Sequence, residues 1–309
     1  MATKHTCLLS ILFASGLVLS GCTRTTNPSD ATGGTGGGTE TGTGGTTAGS
    51  SDAQAEAGAA SACINVPDDL IADFTTDNGL NPADGRSGGF YVVGDNSLAG
   101  KFDPPFVQDQ PYPIDATSGN KCSGPGSFHT KATGWGVWGA AVGVDFMARM
   151  PLDAGMAYDG KGFKQTYDAS KYQGISFWAK AAAQLTRVQV SFPDIYTDAA
   201  ANPATIDPSI SSCVYSAGAS NCSPYLVKLG DPTFPKYKDY QIDTTWKRFD
   251  IFFADTLQDP YNKGFVPPGN QLSVKYLAAM DIQVNANFTA TDVTPNDFEI
   301  WVDDVNFIR

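Results

Sequence analysis

Residues 298–308 read FEIWVDDVNFI, and this run decides the class of the fold. Phe298, Ile300 and Val302 alternate in one phase, and Val305 and Phe307 alternate in the other. Alternation of period two marks a strand with one buried face. A strand that changes phase carries an extra residue, so the adjacent acids Asp303 and Asp304 are expected at a β-bulge. Working outward, short β-rich runs recur at LIADF (70–74), GGFYVVGD (88–95), AAVGVDFMA (140–148), GISFWAKA (174–181), TRVQVSF (186–192), KRFDIFFA (247–254) and MDIQVNA (280–286). Gly, Pro, Asn and Asp punctuate these runs. No long stretch has a helical period with caps, although a helical turn is expected around QLSVKYLAAM (271–280). Roughly eight to ten strands predict an all-β, two-sheet sandwich with long loops rather than two domains. Two connections, 96–127 and 196–224, are too long for hairpin turns and are expected to be functional or pinned by disulfides.

Of the 309 residues, the first are not expected to belong to the fold. Lys4 precedes the apolar stretch CLLSILFASGLVLS, which is too short to span a bilayer and reads as a signal h-region. LSGC follows, at Leu19 to Cys22. It resembles the bacterial lipobox, which implies a signal peptide over 1–21, cleavage before Cys22 and diacylglycerol on its sulfur. The Gly, Thr, Ser and Ala of 22–61 offer little to bury and read as a flexible tether. About 40 such residues reach roughly 35 Å. The expected location is therefore a bacterial outer membrane, with the 62–309 domain facing the periplasm or the cell surface and touching the membrane only through lipid. A monomer is expected.

The net charge is -12 and no Lys/Arg run is present, which argues against nucleic acid and anionic lipid headgroups as partners. Of the 32 acidic residues only Glu40, Glu56 and Glu299 are glutamate, and the first two lie in the tether. Aspartate favours turns, and oxygen-rich loops also suit Ca²⁺. With Cys7 removed and Cys22 lipidated, Cys63, Cys122, Cys213 and Cys222 remain, enough for two disulfides in an exported domain. Three connectivities exist. The short loop between Cys213 and Cys222 favours that pair, leaving Cys63 with Cys122. No CxxC or nearby histidine supports zinc.

The order of segments carries a resemblance. YDASKYQGISFWAK (167–180), DTTWKRFDIFF (243–253) and the terminal EIWVDDVNF (299–307) follow the opening acidic–Phe strand ADF (72–74). Over roughly residues 70–309 the chain resembles the galactose-binding-like jelly roll. It is similar to the family 11 carbohydrate-binding modules and to related domains of bacterial surface lipoproteins. The specific part lies in 167–180 and the last strand, and the rest matches in order and spacing. The resemblance implies a structural Ca²⁺ near the paired termini, with Asp73 matching a first-strand acid and Asp303 or Asp304 a last-strand acid. The alternative is that these acids face solvent or accept backbone N–H bonds at a bulge.

Catalytic constellations are sparse. His129 is the one histidine outside the signal, so no Ser–His–Asp or Cys–His set can be built without it. The domain has a single glutamate, and no zincin, nucleophile-elbow, P-loop or dinucleotide motif occurs. The expectation is a noncatalytic module for a polysaccharide or other glycan. Two alternatives are a structural or protein-interaction lipoprotein and a hydrolase using aspartates. Sugar sites pair aromatic faces with polar side chains. Candidates are Trp135 and Trp138 in GWGVWG, Asp194, Tyr196 and Asp198 in FPDIYTD, and Tyr215 and Tyr225 near the two-cysteine loop. Phe177, Phe249, Phe252, Phe288, Phe298 and Phe307 are expected in the core, together with Trp178 and Trp246.

Overall fold

A computed structural model describes residues 69–75, 80–107, 111–119, 124, 126–151, 162–201, 211–216, 219–259, 265–289 and 292–309. The signal segment, Cys22, the tether, Cys63 and Cys122 lie outside these residues. The described strands all fall within one compact unit, Ala59–Arg309.

Two antiparallel sheets form a jelly-roll sandwich. The first contains β1 (Leu70–Ala72), β3 (Lys101–Asp103), β4 (Ile114–Asp115), β5 (Ser127–Thr133), β7 (Gly174–Ala181), β12 (Lys247–Phe252) and β17 (Phe298–Ile308). Its order is β12-β7-β17-β5-β3, with β1 beside β17 and β4 beside β5. The second contains β2 (Gly89–Gly94), β6 (Gly139–Asp145), β8 (Val188–Phe192), β11 (Tyr225–Lys228), β13 (Leu257–Gln258) and β14 (Ala279–Asn285), in the order β13-β11-β8-β14-β6-β2. Two small hairpins complete the set, β9 (Tyr215–Ser216) with β10 (Ala219–Ser220) and β15 (Asn287–Phe288) with β16 (Val293–Thr294). The helical turn expected near 271–280 is a 3₁₀ turn, Val274–Tyr276.

β17 explains the two acids. Along one edge it pairs with β5 over Phe298–Val302 and then with β1 at Val305 and Asn306. Along the other edge it pairs with β7 throughout, with a register shift between Asp303 and Asn306. The extra residue falls where one neighbour hands over to the next. Asp304 takes φ 46°, a left-handed backbone that Asp tolerates better than most residues, and its N–H donates to Asp303 Oδ1 at 2.8 Å. The bulge keeps both halves of the strand facing the core despite the change of phase. Ile300, Val302, Val305 and Phe307 are all buried.

The core lies between the sheets. Phe128, Phe177, Phe249 and Ile175 of the first meet Val142, Val190, Phe192 and Ile282 of the second. Phe307 stacks on Tyr172, ring centroids 4.3 Å apart. Each fully buried side chain of this size contributes about 1.5–3 kcal/mol. Phe177, Phe249, Phe298 and Phe307 are in the core as expected. Phe252 is half-buried, and Phe288 is 42% exposed on the small hairpin. Trp178 and Trp246 are also half-buried rather than core. Trp246 belongs to a row across the outer face of the first sheet, where Lys180 Nζ lies 5.1 Å from its ring and 4.9 Å from that of Trp301. Trp301 also stacks on His129.

Candidate functional site

The outer face of the second sheet is a polar trough. Ile282 and Val284 of β14 point into the core, so Asp281, Gln283 and Asn285 point out. The neighbouring strands add Tyr91 from β2, Ala141 and Asp145 from β6, Gln189 from β8 and Lys228 from β11. Small residues on β6 make the trough possible. A Cβ on Gly143 would lie 2.3 Å from both Asp281 Oδ1 and the Tyr91 ring, so glycine is what lets Tyr91 O–H donate to Asp281 Oδ1 at 2.6 Å. The amides are tied in series: Gln283 Nε2 donates to Asn285 Oδ1 (2.6 Å), and Asn285 Nδ2 donates to Gln189 Oε1 (3.1 Å).

Two cavities lie along this face. One, about 710 Å³, is walled by Phe106, Trp135 and Trp138 over Tyr91, Lys164 and Asp281. The other, about 690 Å³, is walled by Trp138, Arg187 and Phe288 over Gln189, Lys228 and Asn285. They share Trp138, Cys222, Pro224 and Gln283, and so form one cleft crossing the strands. Arg187 sits in the left-handed region (φ 59°) and lays its guanidinium over the Phe288 ring at 5.3 Å.

The middle of the cleft is held by a residue that the strand and motif patterns do not single out. Asp95 Oδ2 accepts the N–H groups of Val137 (2.6 Å), Trp138 (2.8 Å) and Gly139 (2.9 Å). Burial alone would raise this carboxyl, but bonds from Ser97, Gly139 and Val137 outweigh it and hold the group below its ordinary value. Asp95 thereby fixes the GWGVWG turn and the position of Trp138. Trp135 is placed differently. Its ring lies over Gly94 and Gly100, where a Cβ would approach it to 2.5 and 2.2 Å, and its Nε1 donates to Lys101 O.

The first cavity carries a charged cluster. Lys164 Nζ, 9% exposed, lies 2.9 Å from Asp145 Oδ1 and 3.1 Å from Asp198 Oδ2. Burial raises the carboxyls of Asp145 and Asp281, the latter to about 6, and Lys164 opposes both shifts. Burial would lower Lys164, but Asp145 and Asp198 outweigh it and hold the ammonium well above its ordinary value.

Trp135, Trp138 and Asp198 are therefore brought to one cleft, whereas Asp194, Tyr196 and Tyr225 are not part of it, and the Tyr215 side chain lies outside what the structure describes. Asp194 is fully buried: its Oδ1 accepts from Tyr196 N, Thr197 N and Thr197 Oγ1, and its Oδ2 accepts from Ser273 N. It builds the turn after β8 and has no face for ligand. Tyr225 is buried at the end of the sandwich, because β11 turns it inward and Lys228 outward. Tyr196 is half-buried and lines neither cavity; its carbonyl accepts Cys213 N–H at 2.8 Å. Cys213 and Cys222 form the expected disulfide, with Cα atoms 5.0 Å apart, at the rim of the cleft. Gln189, Gln283, Asn285, Arg187 and Phe288 also line the cleft, and no motif marks them. Their signal is the polar half of each strand's alternation, which looks the same on any solvated face.

His129 lies on the opposite sheet, stacked on Trp301 at 4.4 Å and bonded to Glu299 at 3.0 Å, with no nucleophile beside it among the described residues. Asp303 and Asp304 are buried at the β17 bulge. Asn306 Nδ2 donates to Asp304 O, while Asn306 Oδ1 is buried with no hydrogen-bond partner. Two carboxylates and a buried acceptor lacking a donor fit a hard cation such as Ca²⁺. Asp73 follows the Ala72–Val305 pair, but its Oδ1 accepts from Thr75 N and Oγ1. Among the described residues no group of three or more His, Cys, Asp or Glu side chains is gathered for a metal.

No family model matches the chain, and no curated protein matches it. Among solved structures, a family 30 carbohydrate-binding module of a cellulosomal cellulase of Clostridium thermocellum aligns at TM-score 0.33 and 12% identity, over 70% of this chain and 94% of that one. An exo-β-agarase aligns at TM-score 0.36 and 8% identity, over 77% of this chain and 24% of that one. The chain is also similar to a family 11 carbohydrate-binding module from Clostridium thermocellum, solved with a β-1,3-1,4-mixed-linked tetrasaccharide, at TM-score 0.39 and 11% identity over 78% of this chain and 94% of that module.

Proposed function

We infer that the protein is a noncatalytic carbohydrate-binding lipoprotein, exported, anchored through lipid on Cys22, and holding a polysaccharide chain in the cleft of the second sheet. One observation carries the reading: Trp138 stands at the junction of two cavities whose floor is a continuous file of amide, hydroxyl and carboxylate side chains from neighbouring strands. Aromatic rings cover the apolar face of a pyranose, and such groups meet its hydroxyls. An open cleft walled by aromatics at both ends suits a chain rather than a single sugar.

The test is affinity electrophoresis of residues 62–309 against plant, bacterial and fungal polysaccharides, including a β-1,3-1,4-mixed-linked glucan. Retardation that is lost in Trp138→Ala supports the reading, and no retardation by any polysaccharide sinks it. Anchoring is tested separately: palmitate labelling of the full chain should disappear in Cys22→Ser. A second reading has one observation in its favour. Asp281, raised to about 6, has the protonation behaviour of a general acid on the cleft floor. Release of reducing ends from a bound polysaccharide, lost in Asp281→Asn, would establish a hydrolase instead.

A further inference from the structure

The cleft floor has an arrangement that goes beyond binding by shape, and the inference from it rests on the cleft being the glycan site. Lys164 is fixed at both ends. Its backbone N–H donates to Ala200 O at 2.9 Å, and the residue forms a parallel bridge with Ala201. Its ammonium reaches across the trough and touches three elements: Asp145 at the end of β6, Asp198 in the turn after β8, and Tyr91 of β2, whose hydroxyl is 3.5 Å from Nζ and whose ring centroid is 5.2 Å from it. Tyr91 in turn donates to Asp281 of β14. Arg149 approaches from the other side of Asp145, Nε to Oδ2 3.9 Å, and is tied to Gly162 O by Nη1 at 2.9 Å. Tyr91, Asp145, Arg149, Asp198 and Asp281 are thus the charged and titratable groups that face Lys164 from the elements around it.

We propose that Lys164 is a positioning residue of the glycan cleft, whose ammonium keeps the carboxylates of the floor ionised and so keeps the floor an acceptor of sugar hydroxyl protons. The buried carboxylates need this. Burial favours their protonated forms, the repulsion of Asp198 adds to that, and Lys164 is the strongest influence opposing it at both Asp145 and Asp281. A protonated Asp281 would present a donor where an acceptor is required. Lys164 also sets direction: by holding Asp281 ionised it keeps the Tyr91 hydroxyl proton pointed at Asp281 and leaves the other carboxylate oxygen to the ligand. A packing ion pair would hold the fold together and leave the pH response of binding unchanged, and that difference is measurable.

The experiment follows the Asp side-chain carboxyl carbons by NMR from pH 4 to 8 in the full 62–309 domain. It is paired with calorimetric titration, over the same pH range, of whichever polysaccharide retards the domain. In the native domain Asp281 should titrate near 6, and affinity should weaken about tenfold as pH falls through that midpoint, because a charge-assisted hydrogen bond is replaced by a neutral one. Lys164→Met should move the midpoint of Asp281 and of the affinity profile upward, and Lys164→Arg should restore both. Asp198→Asn, which removes a repulsion and keeps the lysine, should move both downward. It carries the test if Lys164→Met does not fold. An Asp281 midpoint that neither variant moves overturns the proposal. So does a polysaccharide that binds with a flat pH profile, which leaves the cleft as the binding site. A domain that binds no polysaccharide at any pH overturns both readings.

Discussion

Tyr91 donates its hydroxyl proton to Asp281 across the bare Cα of Gly143, at 2.6 Å. Any side chain on Gly143 occupies the space that both groups use. Gly143→Ala should therefore destabilise the domain by about 1–3 kcal/mol, the usual cost of overpacking, which lowers Tm by roughly 2–4 °C per kcal/mol in a domain of this size. It should also lower polysaccharide affinity. Calorimetry and affinity electrophoresis read the two effects; a Tm equal to that of the parent would show that the trough is looser than its distances imply.

The two faces of the sandwich should separate cleanly in mutagenesis. Trp138→Ala removes the ring shared by both cavities and should cut polysaccharide affinity by at least tenfold, about 1.4 kcal/mol, with a small change in Tm. Trp301→Ala breaks the stack with His129 and the contact with Lys180 on the opposite sheet, so it should lower Tm and leave affinity alone. Equal losses of affinity from the two variants would place the site elsewhere.

Stability should peak in mildly acidic solution. Asp194 and Asp281 are raised from 3.8 to about 6 by burial, so their contribution to stability is fully present below about 4 and is lost as pH rises through about 6. Asp95 and Asp115 are held below 3.8 by hydrogen bonds that outweigh burial, and Asp243 falls to about 2 through Lys247 and Thr245. Their contribution is present above about 4 and is lost as pH falls toward 2. Thermal melts from pH 3 to 9 should show a Tm maximum between about 4 and 6. In Asp281→Asn the decline on the alkaline side should be shallower.

The Ca²⁺ that the resemblance implies is a proposal for the β17 bulge: were Asp303, Asp304 and the amide oxygen of Asn306 to hold the ion, it would appear as a chelator-sensitive Tm. A cation present at 100 times its Kd adds about 2.7 kcal/mol, so EDTA should lower Tm by several degrees and Asp304→Asn should abolish that response. An unchanged Tm in EDTA would leave the bulge held by hydrogen bonds alone.

The sandwich was legible because alternation depends only on residue type. The phase change between Val302 and Val305 even located the bulge, since one inserted residue inverts every later side chain. The site was legible in its aromatics but less so in its polar residues. Trp138 stood out in GWGVWG, but Gln283 and Asn285 look like any outward positions until the neighbouring strands are known. Asp194 failed as a ligand because four donors from its own turn and Ser273 consume its oxygens, a convergence that strand patterns do not encode. Hydrophobicity alone puts Phe288 in the core, whereas its hairpin stands outside the sandwich and leaves the ring to the cleft.

The position of β17 has a consequence for when this molecule can fold. It is the last of the described strands in chain order, yet it is the shared partner of β1, β5 and β7, and Arg309 pairs with Asp69 at 2.8 Å across the whole length of the described chain. Until residues 298–308 have emerged, three strands made much earlier have open edges and the first sheet lacks its centre. Contacts of such long sequence separation are slow to form. Residues 298–308 must therefore have been made, and carried across any membrane the domain crosses, before the sandwich can close, and a chain interrupted before residue 298 would present unpaired strands instead of a nearly complete fold.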